Sequence, residues 1–271
     1  MPSAEIFGKI SSAARRVLRR SGLALVLVLG LGTTPAAAAQ AVALELVLAV
    51  DVSTSIDRRE YGLQMQGLAQ AFRSPALIDA IAGAAPDGIA VCLLQWAGRG
   101  EQRLAVDWQL VRDTAQGEAM AARIDAALRL RARGGTAIGD AIVAAGRLFD
   151  ANGYDGAGRV IDVSGDGRAN QGLDAVAARD ASLASGITIN ALAILNEQPT
   201  LDAYYQSNVI GGDLAFVQTA DDFSDFAQAI LRKLVREIGG AQMVGPGALE
   251  PTPSTAAIAL RIARKGAFLP N

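Results

Sequence analysis

The chain has 271 residues, of which 51% are hydrophobic, 19% charged and 5% aromatic, and its formal net charge is −2. This composition excludes a wholly disordered chain and predicts a core packed mainly with Ala, Leu and Val side chains. The sequence has no histidine and one cysteine, Cys92, which excludes Ser-His-Asp and Cys-His catalytic units, imidazole metal ligands and an intramolecular disulfide. Cys92 lies in an apolar run, so we expect a buried thiol.

The first 39 residues have the pattern of an export signal. Four arginines between Arg15 and Arg20 precede an apolar stretch at residues 23–31, and small residues of the Ala-x-Ala type follow up to Ala39. The apolar stretch is well short of the roughly 20 residues that a membrane-spanning helix needs, so we expect cleavage after Ala39. The arginine pair also resembles a twin-arginine signal, and the export route stays open. We therefore expect a periplasmic or secreted protein.

Removal of this segment makes the remaining chain acidic. The segment takes with it five basic residues and one acidic residue, which leaves 20 basic and 26 acidic residues and a net charge of −6. Binding to nucleic acid needs a clustered basic surface that can neutralise phosphates, so this balance disfavours a nucleic-acid partner. It makes a bound cation more plausible.

From Gln40 onward, short apolar runs alternate with longer segments of helical periodicity, which is typical of an α/β domain with a mostly parallel sheet. Strands are predicted at residues 44–50, 89–96, 159–163, 187–194 and 214–218, with a short edge strand at residues 103–106. Helices are predicted at residues 58–72, 114–129, 138–149, 173–184, 200–207 and 222–238. A capping box from Asp57 to Glu60 begins the first helix. We expect a single domain over residues 40–238.

Beyond residue 238 the sequence changes to a pattern rich in Gly and Pro, which is typical of a linker. Residues 256–265 combine Ile258, Leu260 and Ile262 with three basic residues, so this end could form a short basic helix at a membrane surface or a partner. The segment is short and weakly patterned. We therefore expect residues 239–271 to be an unstructured tail.

Three polar clusters lie next to predicted elements. Asp51, Ser53 and Ser55 follow the first strand, Thr136 precedes the third helix, and Asp166 follows the strand before the fourth helix. Loops at the carboxyl ends of neighbouring parallel strands converge on one crevice, so we expect these five side chains to meet. Taken singly, each cluster also fits a structural role as a helix cap or a tight turn.

Two carboxylates and three hydroxyls form an all-oxygen set of ligands. Such a set suits Mg²⁺ or Mn²⁺, whereas Zn²⁺ usually selects His or Cys. Because the set supplies only two formal negative charges, a bound divalent ion keeps affinity for one more anionic oxygen, such as a partner's carboxylate. This arrangement favours binding over catalysis.

The three clusters together resemble the metal-ion-dependent adhesion site of von Willebrand factor A domains. The resemblance rests on Asp-x-Ser-x-Ser at residues 51–55, Gly-Gly-Thr-Ala-Ile-Gly-Asp-Ala at residues 134–141 and Ser-Gly-Asp-Gly at residues 164–167, and it spans residues 44–238. It implies a Rossmann-like, three-layer α/β/α domain whose mostly parallel central sheet has one short antiparallel edge strand, with a divalent ion at its top.

In domains of this family, the counterparts of Ser53, Ser55 and Thr136 contact the metal directly, and those of Asp51 and Asp166 often act through water. The family binds proteins, so the resemblance implies a non-enzymatic domain whose partner presents an acidic residue to the ion. The chain is also similar to an exported bacterial subgroup of these domains whose function is unassigned. The resemblance therefore implies a binding device and no particular partner.

Two other functions stay open. Asp51 and Asp166 also resemble residues of the haloacid-dehalogenase phosphatases, which use a strand-end nucleophilic Asp with Mg²⁺. Those enzymes place a second Asp two residues after the nucleophile, where this chain has Ser53, and the expected lysine is missing. Alternatively, the metal site is vestigial and the domain is an inert scaffold.

Three arginines, Arg129, Arg131 and Arg133, precede Thr136. They could steer an acidic partner toward the ion. They could equally form the solvated end of the preceding helix, where cations are favoured, and this is the interpretation that we prefer.

Overall fold

The structure is a computed structural model that describes residues 38–84 and 87–244, the last four of them by backbone alone. Six strands form one sheet in the order β3-β2-β1-β4-β5-β6. The strands are β1 (Gln40–Asp51), β2 (Ile89–Trp96), β3 (Gln102–Val111), β4 (Tyr154–Gly165), β5 (Thr188–Ile194) and β6 (Val217–Ala220). All neighbours pair in parallel except β2 and β3, which are antiparallel. The predicted mostly parallel sheet with an antiparallel edge is confirmed.

Seven helices in the described residues cover both faces of the sheet. They are α1 (Arg58–Arg73), α2 (Pro75–Ala82), α3 (Thr114–Asp125), α4 (Ile138–Arg147), α5 (Ala175–Ala184), α6 (Leu201–Asn208) and α7 (Phe226–Val244). One core layer joins the sheet to α1, α2, α3 and α7, and a second joins it to α4, α5 and α6. This is the expected three-layer α/β/α architecture.

The central strand β1 supplies both core layers. Leu46 and Leu48 point into the layer under α1 and α7, whereas Val47 and Ala49 point into the layer under α4 and α5. Successive side chains of a strand alternate between faces, so a strand buried on both faces is a continuous apolar run. Cys92 lies in the second layer and is fully buried, as predicted, and burial raises the pKa of its thiol.

The edge strand β3 is longer than predicted, with ten residues in place of four. Its residues are mostly half-exposed because one edge of the strand has no neighbour, so its apolar pattern is weak. The strand β6 lies about three residues later than predicted. Leu214, which we placed at its start, has a φ of 57° and a largely exposed side chain, so it belongs to the preceding turn.

Three helix predictions were wrong in detail. The eight-residue helix α2, which has a proline in its first turn, was missed. The helix α3 ends at Asp125, so Arg129, Arg131 and Arg133 lie in the loop that follows and do not form a helix end. The helix α7 begins four residues later than predicted and continues through Gly239 and Gly240 to Val244.

The predicted signal peptide up to residue 37 and the predicted tail beyond residue 244 lie outside the described residues. None of the helices that the structure describes is long and apolar enough to cross a membrane.

Candidate metal centre

The predicted site residues lie where two central strands end. Strand β1 ends at Asp51 and its parallel neighbour β4 ends at Gly165, with Val50 beside Ser164 in register. The loops that follow carry Ser53, Ser55 and Asp166 at this same edge of the sheet. Capping of α1 by Asp57 then fixes the far end of the first loop, because Asp57 and Glu60 form the predicted capping box.

Hydrogen bonds connect four of the five site residues. The Ser53 backbone N–H donates to Asp51 Oδ1 at 2.8 Å, and the Ser53 and Ser55 hydroxyl oxygens are 3.1 Å apart. The Ser55 hydroxyl donates to Asp166 Oδ1 at 3.1 Å. Two loops that are more than a hundred residues apart in sequence therefore meet through their side chains, as the strand-end argument predicted.

Thr136 lies beside this group, on the loop before α4. Its backbone N–H donates to Asn170 Oδ1 at 2.9 Å, and its carbonyl accepts from the Asn170 backbone N–H at 3.0 Å. The next residue, Ala137, donates its backbone N–H to Ala97 O at 2.8 Å. The Thr136 hydroxyl lies close to Gly167, since a Cβ on that glycine would be 3.7 Å from Thr136 Oγ1. The backbone is thus fixed on both sides of the hydroxyl.

The two carboxylates are buried and only partly satisfied. Asp51 and Asp166 are 0% and 1% exposed, and within the described residues neither Asp51 Oδ2 nor Asp166 Oδ2 has a hydrogen-bond partner. A buried carboxylate oxygen without a partner is costly, because burial removes the water that would solvate it. These two oxygens therefore lack a hydrogen-bond donor or cation in the described residues.

The pKa values of the acidic groups at this site are raised, as expected where negative charges are buried without a cation. Burial raises the pKa of Asp51 to about 7, and the neighbouring charge of Asp166 contributes to the rise, while the Ser53 hydrogen bonds and Arg129 oppose it. Burial also raises the pKa of Asp166. Burial and the two carboxylates raise the pKa of Tyr205, whose hydroxyl lies behind the pair. A cation between the carboxylates would reverse these shifts, because it favours their charged forms.

Arg129 holds the loop that carries the two serines, a role that the sequence did not reveal. Its Nη2 donates to the carbonyl oxygens of Val52, Ser53 and Ile56 at 3.3, 3.1 and 2.5 Å, and its Nη1 donates to Asp57 O at 3.1 Å. The guanidinium also lies over the Tyr61 ring, 5.4 Å from its centroid. One planar group thus fixes four carbonyls of the β1–α1 loop.

Close packing behind the carboxylates requires a glycine at position 165. A Cβ on Gly165 would lie 2.8 Å from the Tyr205 hydroxyl and 2.9 Å from Asp51 Oδ2. The glycine thereby allows the end of β4 to approach the Asp51 side chain. The Ser-Gly-Asp-Gly motif therefore contributes a carboxylate and also the space for the carboxylate opposite it.

The donor set is rich in hydroxyls. No group of three or more Asp, Glu, His or Cys side chains in the described ranges could hold a metal ion. Any ion at this site would depend on the hydroxyls of Ser53, Ser55 and Thr136 in addition to the two carboxylates. Ser55 is exposed whereas Ser53 and Thr136 are buried, so the group opens to solvent on the Ser55 side.

The architecture is the fold of von Willebrand factor A domains, and solved structures share it. The proximal thread matrix protein 1 of the mussel byssus, with a zinc-occupied MIDAS motif, has a TM-score of 0.53 and 17% identity over 73% of this chain and 48% of its own. The pilus adhesin SpaC of Lactobacillus rhamnosus GG has a TM-score of 0.53 and 15% identity over 73% of this chain and 31% of its own. The von Willebrand factor domain of the type V pili tip protein Mfa5 of Porphyromonas gingivalis has a TM-score of 0.54 and 10% identity over 80% of this chain and 100% of its own.

These similarities establish the fold. The chain spans about half the length of the mussel protein and about a third of the adhesin. Residues 41–242 match the family described as "Protein of unknown function (DUF1194)", and the chain belongs to that family. No curated protein matches the sequence.

Proposed function

We propose that the chain is an exported, metal-dependent protein-binding domain. Ser53, Ser55 and Thr136 hold a divalent ion, Mg²⁺ or Mn²⁺, and Asp51 and Asp166 orient its waters and the ligand hydroxyls. The ion supplies a Lewis-acidic position that accepts one carboxylate of a partner protein. The domain is not an enzyme.

The observation that carries this proposal is a pair of buried carboxylate oxygens, Asp51 Oδ2 and Asp166 Oδ2, to which no residue in the described part of the chain donates a hydrogen bond. They lie beside the hydroxyls of Ser53 and Ser55, which are hydrogen-bonded to each other and, through Ser55, to Asp166 Oδ1. Burial of two like charges needs a compensating cation, and the nearby Arg129 already donates to four backbone carbonyls. The residues therefore fit a divalent ion.

The ligands support the choice of ion. Oxygen donors with two carboxylates suit hard cations, which favours Mg²⁺ or Mn²⁺. The zinc-occupied MIDAS motif of the mussel thread protein supports a divalent metal in a domain of this fold. Zn²⁺ is therefore included below as a competing ion.

The cellular setting is part of the proposal. Residues 1–39 act as an export signal, residues 40–238 form the binding domain, and the protein is periplasmic or secreted. The similarity to a pilus adhesin and a pili tip protein supports a place outside the cytoplasm. Because α7 continues to Val244, we place the start of the C-terminal tail after that residue, and contact with a membrane is assigned to the tail alone.

The two alternative functions are weaker. The phosphatase alternative needs a general acid/base two residues after Asp51, and that position is Ser53, whose hydroxyl contacts Ser55. The fold is that of a von Willebrand factor A domain, a class represented here by matrix and adhesion proteins. The scaffold alternative requires no metal affinity, so it is separated from our proposal by direct titration.

The test is calorimetric titration of Mg²⁺, Mn²⁺ and Zn²⁺ into the purified chain after treatment with a chelator. We expect saturable binding of Mg²⁺ or Mn²⁺ that Ser55→Ala weakens by roughly tenfold or more, which is the usual effect of losing a group that holds or orients a metal ligand. Ser185→Ala is the matched control, because Ser185 has an exposed hydroxyl at the end of α5, at the opposite end of the sheet.

Equal affinity in Ser55→Ala and in the wild type would show that the assigned residues do not form the site. Absence of binding by all three ions, with the fold intact by circular dichroism, would favour the inert scaffold. Metal-dependent turnover of a generic phosphatase substrate, abolished by Asp51→Asn, would favour the enzyme.

A further inference from the structure

Four exposed arginines lie on the loops around the candidate metal centre. Arg99 is on the β2–β3 loop, Arg131 and Arg133 are on the α3–α4 loop that carries Thr136, and Arg168 follows Asp166 by two residues. We call these four residues the arginine rim. They come from three segments that are far apart in sequence, so only the fold brings them to one end of the sheet.

Hydrogen bonds between backbone groups and the side chains of Glu101 and Gln171 hold these three loops together. The Arg133 backbone N–H donates to Glu101 Oε1 at 2.9 Å, and the Arg99 backbone N–H donates to Gln171 Oε1 at 3.4 Å. Gln171 Nε2 in turn donates to Gly134 O at 3.0 Å. The loops therefore form one connected surface, and the positions of the rim residues relative to the centre are fixed by the fold.

The charges of the rim are not neutralised within the domain. Among the described residues, none of the four guanidinium groups forms a salt bridge. Arg168 donates to Thr200 Oγ1 at 2.9 Å and lies over the Tyr204 ring, which fixes the side chain and leaves its charge in place. Glu101, an acidic residue on the β2–β3 loop, accepts hydrogen bonds from the backbone N–H groups of Gly98 and Arg133.

The rim contrasts with the rest of the domain. Residues 40–244 contain 17 basic and 25 acidic residues, a net charge of −8. The four arginines bring positive charge to this end of an acidic body, against the acids Glu60, Glu101 and Glu197, and so attract anions to the site while the rest of the domain repels them. The ion alone is sufficient to bind one carboxylate of a partner. The four rim arginines therefore indicate a partner that presents several acidic residues.

We propose that the partner is an acidic protein segment with several Asp or Glu residues. One carboxylate of the segment reaches the ion while its neighbours pair with the arginine rim. This inference rests on the proposed function and adds to it the class of partner. An acidic protein segment fits better than a nucleic acid, because the rest of the domain, with 13 basic and 25 acidic residues and a net charge of −12, would repel a long polyanion whose charge cannot be confined to the site.

The experiment uses a fluorescent peptide of ten glutamates, with fluorescence anisotropy read in Mg²⁺ and in chelator. The test variant is Arg131→Gln/Arg133→Gln. The matched control is Arg112→Gln/Arg147→Gln, which removes two exposed arginines from the opposite end of the sheet and so changes the net charge equally. A single-stranded oligonucleotide of ten nucleotides is the competing probe, and Mg²⁺ affinity is measured on each protein by calorimetry.

We expect the wild type and the control to bind the peptide alike in Mg²⁺. The rim variant should bind it about tenfold more weakly and with a smaller salt dependence, as loss of two rim charges predicts. Its Mg²⁺ affinity should be unchanged, which separates failure of the rim from failure of the metal centre. Peptide binding that persists in chelator, yet still requires the rim, would keep the acidic partner and overturn the role of the ion.

Three results would overturn the inference itself. The first is equal peptide binding by the wild type and the rim variant. The second is no peptide binding by a wild-type protein that does bind Mg²⁺. The third is rim-dependent binding of the oligonucleotide that is tighter than that of the peptide, which would assign the surface to nucleic acid.

Discussion

A buried group of charges under α7 should make the stability of the domain depend on pH. Lys233, Asp162, Glu237 and Asn190 are each less than 5% exposed. Lys233 Nζ lies 2.6 Å from Asp162 Oδ1 and also contacts Glu237 Oε1, and Asn190 donates to Glu237 Oε1 at 2.9 Å. One cation thus serves two carboxylates, and within the described residues Glu237 Oε2 has no partner. The second negative charge is therefore either buried at a cost in stability or removed by protonation of Glu237.

The direction and size of the effect follow from the pKa of Glu237. Burial, and then the charge of Asp162, raise it from 4.5 to about 7. A carboxyl group with a raised pKa binds a proton more tightly in the folded chain, so the free energy of unfolding falls as pH rises from about 4.5 to about 7. A shift of this size corresponds to about 3 kcal/mol. That is a large share of the roughly 5–15 kcal/mol that stabilises a typical domain.

Replacement of Glu237 by Gln removes the charge and keeps an oxygen for Asn190 and Lys233. The new amide N–H group replaces an oxygen that has no partner, which costs about 1–2 kcal/mol if it stays unpaired. We expect Glu237→Gln to be more stable than the wild type by about 1–2 kcal/mol at pH 8. It should lose this advantage at pH 5, where Glu237 is protonated. Asp51 also titrates, but it is common to both proteins and cancels in the difference.

The measurement is urea unfolding followed by tryptophan fluorescence at pH 5, 6, 7 and 8, with chelator present throughout. Asp150→Asn is the control, because Asp150 is exposed and its side chain has no hydrogen bond in the described structure. Its stability difference from the wild type should not change with pH. The reasoning is refuted if the curves for Glu237→Gln and the wild type run parallel from pH 5 to pH 8.

Three further predictions concern the metal centre. Arg129→Met should weaken Mg²⁺ binding by roughly tenfold in calorimetry without unfolding the domain, and Arg129→Lys should not restore it, because an ammonium group cannot span four carbonyls. Gly165→Ala should lower the melting temperature, because its Cβ would lie 2.8 Å from the Tyr205 hydroxyl, and Tyr205→Phe should relieve part of the loss in the double variant. Mg²⁺ at about 100 times its dissociation constant should raise the free energy of unfolding of the wild type by about 2.7 kcal/mol, and Ser55→Ala at the same concentration should gain clearly less.

The parts of the fold that the sequence predicted well are those with two-sided burial. The strand β2 has the predicted bounds, Ile89–Trp96, because every residue in it is buried and all but Gln95 are apolar. The contact between Ser55 and Asp166 could be predicted for a related reason. Asp51 and Asp166 interrupt or follow apolar runs at strand ends, and parallel strands bring such ends together.

The misses occurred where apolar periodicity carries little information. The edge strand β3 is half-exposed, so its polar residues concealed most of its length. Gly239 and Gly240 suggested a linker, but a Cβ at either position would contact nothing within 4 Å, so both lie on an open side of α7. A glycine there costs helix propensity and no packing, and the packed residues of α7, such as Leu234 and Ile238, still stabilise the helix.

The role of Arg129 could not be predicted from the sequence, for a different reason. Its contacts with Val52, Ser53 and Ile56 cross more than seventy positions and go to backbone carbonyls, which leave no trace in residue type. The sequence showed a positive charge near Thr136 and suggested a helix end. The helix α3 stops at Asp125 instead, which frees Arg129 to reach the β1–α1 loop.

The buried charges under α7 could be predicted only in part from the sequence. Lys233 and Glu237 are four residues apart, which alone indicates an ordinary exposed ion pair on a helix. Asp162, however, lies within a predicted strand whose other positions are largely apolar, and a carboxylate there needs a cation from the layer above. A carboxylate in a buried strand therefore indicates a buried cation on the helix that packs over it. Asp162 indicates in this way that Lys233 lies in the core.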